Sequence, residues 1–207
     1  PFPPLTQLRS LTVMDITNAS QLSEAMRVMT SLTLLKVGSR IKESVTRIVE
    51  AIGNHSQLTH LTLSNLLMSQ SDLDLLATAL SKTKELTTFE MIRIQLGKMN
   101  LEALWEHLGA LALSCLEMND CGLKPEEVNP LIPQFPTTLK HLSLSGNHIG
   151  KPVLQCMIKH ATRLVNLRSF DMSFSHDWTY SKSLGKSLEK RERTNSQKTN
   201  SSALARN

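Results

Sequence analysis

Apolar residues recur along this chain in one phrase that is written seven times. Around Leu139 the phrase reads Leu139, Leu142, Leu144 and Ile149, with Asn147 set between the last two. Leu142 and Leu144 alternate with polar neighbours, the period of a short strand with one buried face. Asn147 follows where the chain must bend, with an amide able to satisfy free backbone groups. The phrase starts again at Leu8, Leu32, Leu58, Leu86, Leu113 and Leu167, at spacings of 24 to 28 residues. Its inward pairs are Leu11/Val13, Leu35/Val37, Leu61/Leu63, Phe89/Met91, Leu116/Met118, Leu142/Leu144 and Phe170/Met172. One such unit cannot bury its own apolar side, so the copies must stack.

Between these strands the apolar spacing becomes helical. Leu22, Met26 and Met29 make the first stripe; Val45, Ile48, Val49 and Ile52 the second; Leu73, Leu76, Ala77 and Leu80 the third. The third helix is predicted to be capped by Ser71, with Asp72 and Asp74 at its positive end. Leu101, Leu104, Leu108 and Leu111 form the fourth stripe, with Trp105 beside them. In the fifth segment Pro125 suits a first helical position, but Pro130, Pro133 and Pro136 restrict it to one or two turns. The sixth is predicted to open at Pro152 and to bury Val153, Met157, Ile158 and Ala161. The fold class is α/β: a solenoid of seven strand-turn-helix repeats, bent into a horseshoe with a parallel sheet on its concave face.

The turn position carries Asn147 in the sixth repeat and Cys121 in the fifth, both able to hydrogen-bond a bend. Elsewhere it holds Ile16, Arg40, Leu66, Ile94 and Ser175. Repeats near 28 residues with an Asn-or-Cys turn and a helical return resemble the ribonuclease-inhibitor-like class of leucine-rich repeats. That class includes the C-terminal sensor domains of Nod-like innate immune receptors. The resemblance covers residues 5 to 180 and implies a protein-protein interaction module with a ligand-sensing or autoinhibitory role. The alternative is a structural adaptor in a cytoskeletal, ciliary or ubiquitin-ligase assembly.

Charge divides the chain in two. Of 23 Lys and Arg, 7 lie in residues 181–207, and of 18 Asp and Glu, only 2 do, which leaves 16 of each sign before Ser181. The predicted domains are therefore a neutral repeat domain, 1–180, and a basic polar tail, 181–207. Trp178 and Tyr180 stand where the last core face would open to water and are expected to cap it. Within the tail, Leu184 and Leu188 share one helical face, and beyond Arg193 there is too little apolar content to fold alone. Pro1-Phe2-Pro3-Pro4 is too short to cap the other end, so the chain is expected to be part of a longer one or to be covered by a partner. Three cysteines, no paired cap pattern and no basic-then-apolar leader predict a reducing, cytoplasmic setting. No run of ~18 apolar residues spans a membrane.

Parallel strands lie ~4.8 Å apart, so equivalent outward positions form ladders across the sheet. The middle outward position reads Thr12, Lys36, Thr62, Glu90, Glu117, Ser143, Asp171. Glu90 and Glu117 are neighbours of like charge, an arrangement unfavourable without a counter-charge. Asp120 lies on the same face, with Arg93 placed to offset the repulsion. His60 and His141 point outward from strands three and six, too far apart to act together. These residues (Lys36, His60, Glu90, Arg93, Glu117, Asp120, His141 and Asp171) are the candidate docking surface for a protein partner, a basic one by charge. Cys115 faces the concavity, Cys121 occupies the turn and Cys156 sits in a helix, so their spacing makes no metal site. No nucleophile elbow, phosphate-binding glycine loop or His-Glu-x-x-His motif occurs, which points to a binding protein without cofactor rather than an enzyme. The tail is the one segment with charge for nucleic acid, and it lacks aromatics to stack on bases.

Overall fold

The inward pairs of the repeat fall on strands or on the residue just after them. In the computed structural model, which describes residues 5–16, 18–39 and 45–173, seven strands form one sheet. They are β1 (Ser10–Val13), β2 (Leu34–Gly38), β3 (His60–Ser64), β4 (Thr88–Ile92), β5 (Cys115–Asn119), β6 (His141–Ser143) and β7 (Ser169–Asp171). All are parallel and lie side by side in sequence order. Leu35, Leu61, Phe89, Leu116, Leu142 and Phe170 stand in one register row. From Leu35 to Leu142 that row is wholly buried.

Among the described residues six α-helices return the chain: α1 (Ala19–Val28), α2 (Thr46–Ile52), α3 (Gln70–Leu80), α4 (Glu102–Ala110), α5 (Pro125–Val128) and α6 (Gly150–His160). Their apolar stripes and the inward strand residues make one continuous core, except in α6, where Leu154 joins Val153 and Met157 inside while Ile158 is half exposed and Ala161 lies outside the core. Trp105 belongs to it, its ring 6.0 Å from that of Phe135. The prolines act as expected. α5 has four residues, and a separate 3-10 turn covers Ile132–Gln134.

Two helix starts differ from expectation. α3 is capped by Ser69, not Ser71, because Asp72 lies three residues after Ser69 and completes a reciprocal box. Ser69 Oγ accepts from the Asp72 N–H at 3.2 Å, and the Ser69 N–H donates to Asp72 Oδ2 at 2.9 Å. α6 opens at Gly150, two residues before Pro152. The first-turn N–H groups of a helix lack intrahelical partners anyway, so Pro152 fits inside that turn without losing a bond.

Five of the strands, β1 and β3 to β6, leave the sheet through the same bend. Asp15, Asn65, Arg93, Asp120 and Gly146 occupy equivalent positions and all have φ between 53° and 72°. This left-handed conformation turns the chain away from the strand, and side-chain-bearing residues adopt it only at a cost. The residue after each bend plugs the turn: Ile16, Leu66, Ile94, Cys121 and Asn147 are all buried. Arg40 and Ser175, which fill the same place in repeats two and seven, lie outside the described residues, as do Trp178, Tyr180 and the tail.

A second periodic bond joins the strand starts. Thr33 Oγ1 donates to the Arg9 carbonyl, Thr59 to Thr33, Thr87 to Thr59, and Ser114 to Thr87, at 3.0 to 3.2 Å. Each accepting carbonyl also takes backbone N–H groups from the next repeat.

Candidate functional site

Pleating sends alternate residues of each strand away from the core, and the register lines them up. Thr12, Lys36, Thr62, Glu90, Glu117, Ser143 and Asp171 stand side by side across all seven strands. At the centre of this concave row the two glutamates are direct neighbours on β4 and β5. They are flanked by two buried hydroxyl residues, Thr62 and Ser143.

Hydrogen bonds position both carboxylates. Thr62 Oγ1 donates to Glu90 Oε2 at 2.8 Å. Asn119 Nδ2 donates to Glu117 Oε2 at 3.0 Å, and Ser143 Oγ holds that amide by donating to Asn119 Oδ1 at 2.7 Å. The other Glu117 oxygen lies 3.2 Å from His141 Nε2. At the end of the row, Asp171 Oδ1 accepts from the Ser173 N–H at 2.8 Å.

Arg93 does not serve the glutamate pair. Its bend carries it off the strand, and its Nε sits 3.7 Å from Asp120 Oδ2 in a solvent-exposed pair, of the kind worth under about 1 kcal/mol. Asp120 in turn overhangs Gly146, where an added Cβ would collide with its carboxylate. Lys36 is two strands from Glu90 and makes no ion pair among the described residues. His60 and His141 lie in one register row, separated by Thr88 and Cys115, so at ~4.8 Å per strand they stand ~14 Å apart.

That same row produces a grouping that linear spacing hides. Cys115 pairs in register with His141, and Glu117 follows two residues along β5 on the same face. One ligand atom from each (Sγ, a carboxylate oxygen, an imidazole nitrogen) lies within 4.8 Å of the others. Cys115 Sγ is 3.9 Å from Glu117 Oε1. Burial, then the charges of Glu117 and Glu90, raise the Cys115 thiol to about 11. The signal was present in the sequence only when repeats five and six are written one beneath the other. Cys121 is unrelated to this cluster: its Sγ donates to the Met91 and Asn119 carbonyls, at 3.4 and 3.3 Å, inside the core.

Parallel strands in sequence order, repeated bends and returning helices define a leucine-rich-repeat solenoid. Within that class, the family model of the PRAME C-terminal domain matches residues 12–176, and the chain belongs to this family. The family is a leucine-rich-repeat-like one, and its fold is that of a protein-interaction module; the finer likeness to Nod-like receptors has no counterpart in the match. No curated protein matches the chain significantly. Among solved structures, one described as a crystal structure of a TLR13–ssRNA13 complex has 16% identity and a TM-score of 0.45. It covers 84% of this chain and 33% of its own, so this chain spans a third of that one, in a likeness too loose to bear on function. Among the described residues, no helix is long and apolar enough to cross a membrane.

Proposed function

We propose that this domain is a docking module whose concave row takes a basic segment of a protein partner. The observation that carries the reading is the adjacency of Glu90 and Glu117 at the centre of the sheet, with no Lys or Arg paired to either among the described residues. Like charges held side by side repel, and a cationic side chain laid between them relieves that repulsion. Thr62, Asn119 and Ser143 fix the carboxylates before the partner arrives, which lowers the ordering cost of binding. Free thiols at Cys115, Cys121 and Cys156 support an intracellular, reducing setting. Such a face serves a sensor and an adaptor equally, so the proposal is the docking chemistry and includes no immune role.

The test is a titration of a Lys/Arg-rich peptide against the wild type, Glu90→Lys/Glu117→Lys, and the milder Glu90→Gln. Binding that weakens with salt between ~50 and 300 mM and is lost in the double variant supports the reading. Affinity unchanged in both variants sinks it.

A further inference from the structure

We propose that Cys115, Glu117 and His141 form a binding site for a thiophilic divalent metal ion, zinc by preference, on the concave sheet. The inference goes beyond docking and does not rest on it, since the site needs no partner.

Geometry is the first argument. Zinc bonds sulfur at ~2.3 Å and nitrogen or oxygen at ~2.0–2.2 Å, so tetrahedral ligand atoms sit ~3.3–3.8 Å from one another. The Nε2–Oε1 and Sγ–Oε1 separations here, 3.2 and 3.9 Å, bracket that range. The third separation, from Sγ to the imidazole nitrogen, is within 4.8 Å, so side-chain rotation that moves these atoms by up to about 1 Å brings all three to bonding distance. The backbone beneath is a paired sheet, so the donors are held by register and not by a loop.

Donor chemistry is the second. A thiol, an imidazole and a carboxylate together suit zinc and its soft neighbours, whereas magnesium and calcium take oxygen alone. Glu117 is already oriented from behind: Asn119 holds Oε2, which leaves Oε1 turned toward Cys115 and His141. Buttressing of this kind is what ligating carboxylates require.

Charge is the third. Glu90 stands beside Glu117 in register, so two carboxylates make this part of the sheet negative. That field attracts a dication, and the Cys115 thiol proton passes to solvent as the sulfur becomes a ligand. The His141 and Glu117 side chains retain 36% and 24% of their exposure, so an ion reaches the site from solvent. Three protein ligands leave one position open to water.

The experiment uses the full chain, reduced with a phosphine, and cobalt as a coloured substitute for zinc. One equivalent of Co2+ is expected to give a thiolate-to-cobalt charge-transfer band that zinc abolishes. Cys115→Ser should remove the band, and His141→Ala and Glu117→Gln should weaken zinc binding by about 10-fold or more. Cys156→Ser and His60→Ala should leave it intact. No band in the wild type, or a band surviving in folded Cys115→Ser, overturns the proposal. A second reading needs no variant: zinc should slow alkylation of Cys115 in the wild type, followed by mass spectrometry, and an unchanged rate also overturns it.

Discussion

Asn147 Oδ1 accepts hydrogen bonds from two backbone N–H groups of the preceding repeat, those of Cys121 and Leu123, each at 3.0 Å. Its Nδ2 donates to the Met118 and Leu144 carbonyls at 2.6 and 2.9 Å. One buried amide thus joins two repeats and closes its own turn. Asn147→Ala orphans several of these groups at ~1–3 kcal/mol each. We expect a loss of about 2–5 kcal/mol in urea unfolding. Asn147→Asp keeps the acceptor but sets a buried carboxylate oxygen against the Met118 and Leu144 carbonyls, so it should cost at least as much as Asn147→Ala.

Leu142 is fully buried between its neighbours in the row, while Leu11, its equivalent on the edge strand β1, is only partly buried. Leu142→Ala should therefore cost ~2–5 kcal/mol, as core truncations do, and Leu11→Ala clearly less. Native-state hydrogen exchange should follow the same order, faster in residues 8–16 than in 139–149. Equal protection of the two stretches would contradict the burial difference.

His55 is 2% exposed, and neither ring nitrogen has a hydrogen-bond partner. Burial lowers its pKa below the ordinary 6.5. As pH falls below 6.5, the unfolded chain takes up a proton that the folded chain refuses, so stability is lost in that direction. The thermal midpoint should drop on acidification through this window, and His55→Leu should flatten the drop.

The Cys115 thiol, at about 11 against an ordinary 9.0, carries ~100-fold less thiolate at neutral pH than a free cysteine. Alkylation of Cys115 should be slower by a similar factor, and Glu117→Gln should speed it by removing one of the charges responsible. Cys121 is raised to about 11 as well, chiefly by burial. A raised thiol pKa favours the fold below 9.0, and that contribution disappears as pH climbs toward about 11. Alkaline melts should show the loss, more weakly in Cys121→Ala.

The repeat, its strands and the ladder of outward residues were legible because period-two alternation and a 24–28-residue recurrence leave little freedom of register. Contacts made across repeats were harder to read. Cys115 and His141 are 26 residues apart in sequence and neighbours in register. Arg93 was expected to serve the glutamates and pairs with Asp120, because a left-handed bend at a non-glycine residue leaves no mark in composition. For α3, Ser69 and Ser71 offered rival caps, and the acidic residue three positions after Ser69 was the deciding sign.

The hydroxyl bonds at the strand starts make every junction from β1 to β5 the same seam. Thr59 meets the Thr33 carbonyl as Thr87 meets that of Thr59. A chain cut at Leu58 and rejoined at Thr87 would thus present the same hydroxyl to the same kind of acceptor, with Phe89 beside Leu35 where Leu61 had been. Seams so alike make whole repeats interchangeable parts. The number of strands, and with it the length of ligand the sheet can span, is then open to gain or loss by duplication and excision without a new interface having to be invented.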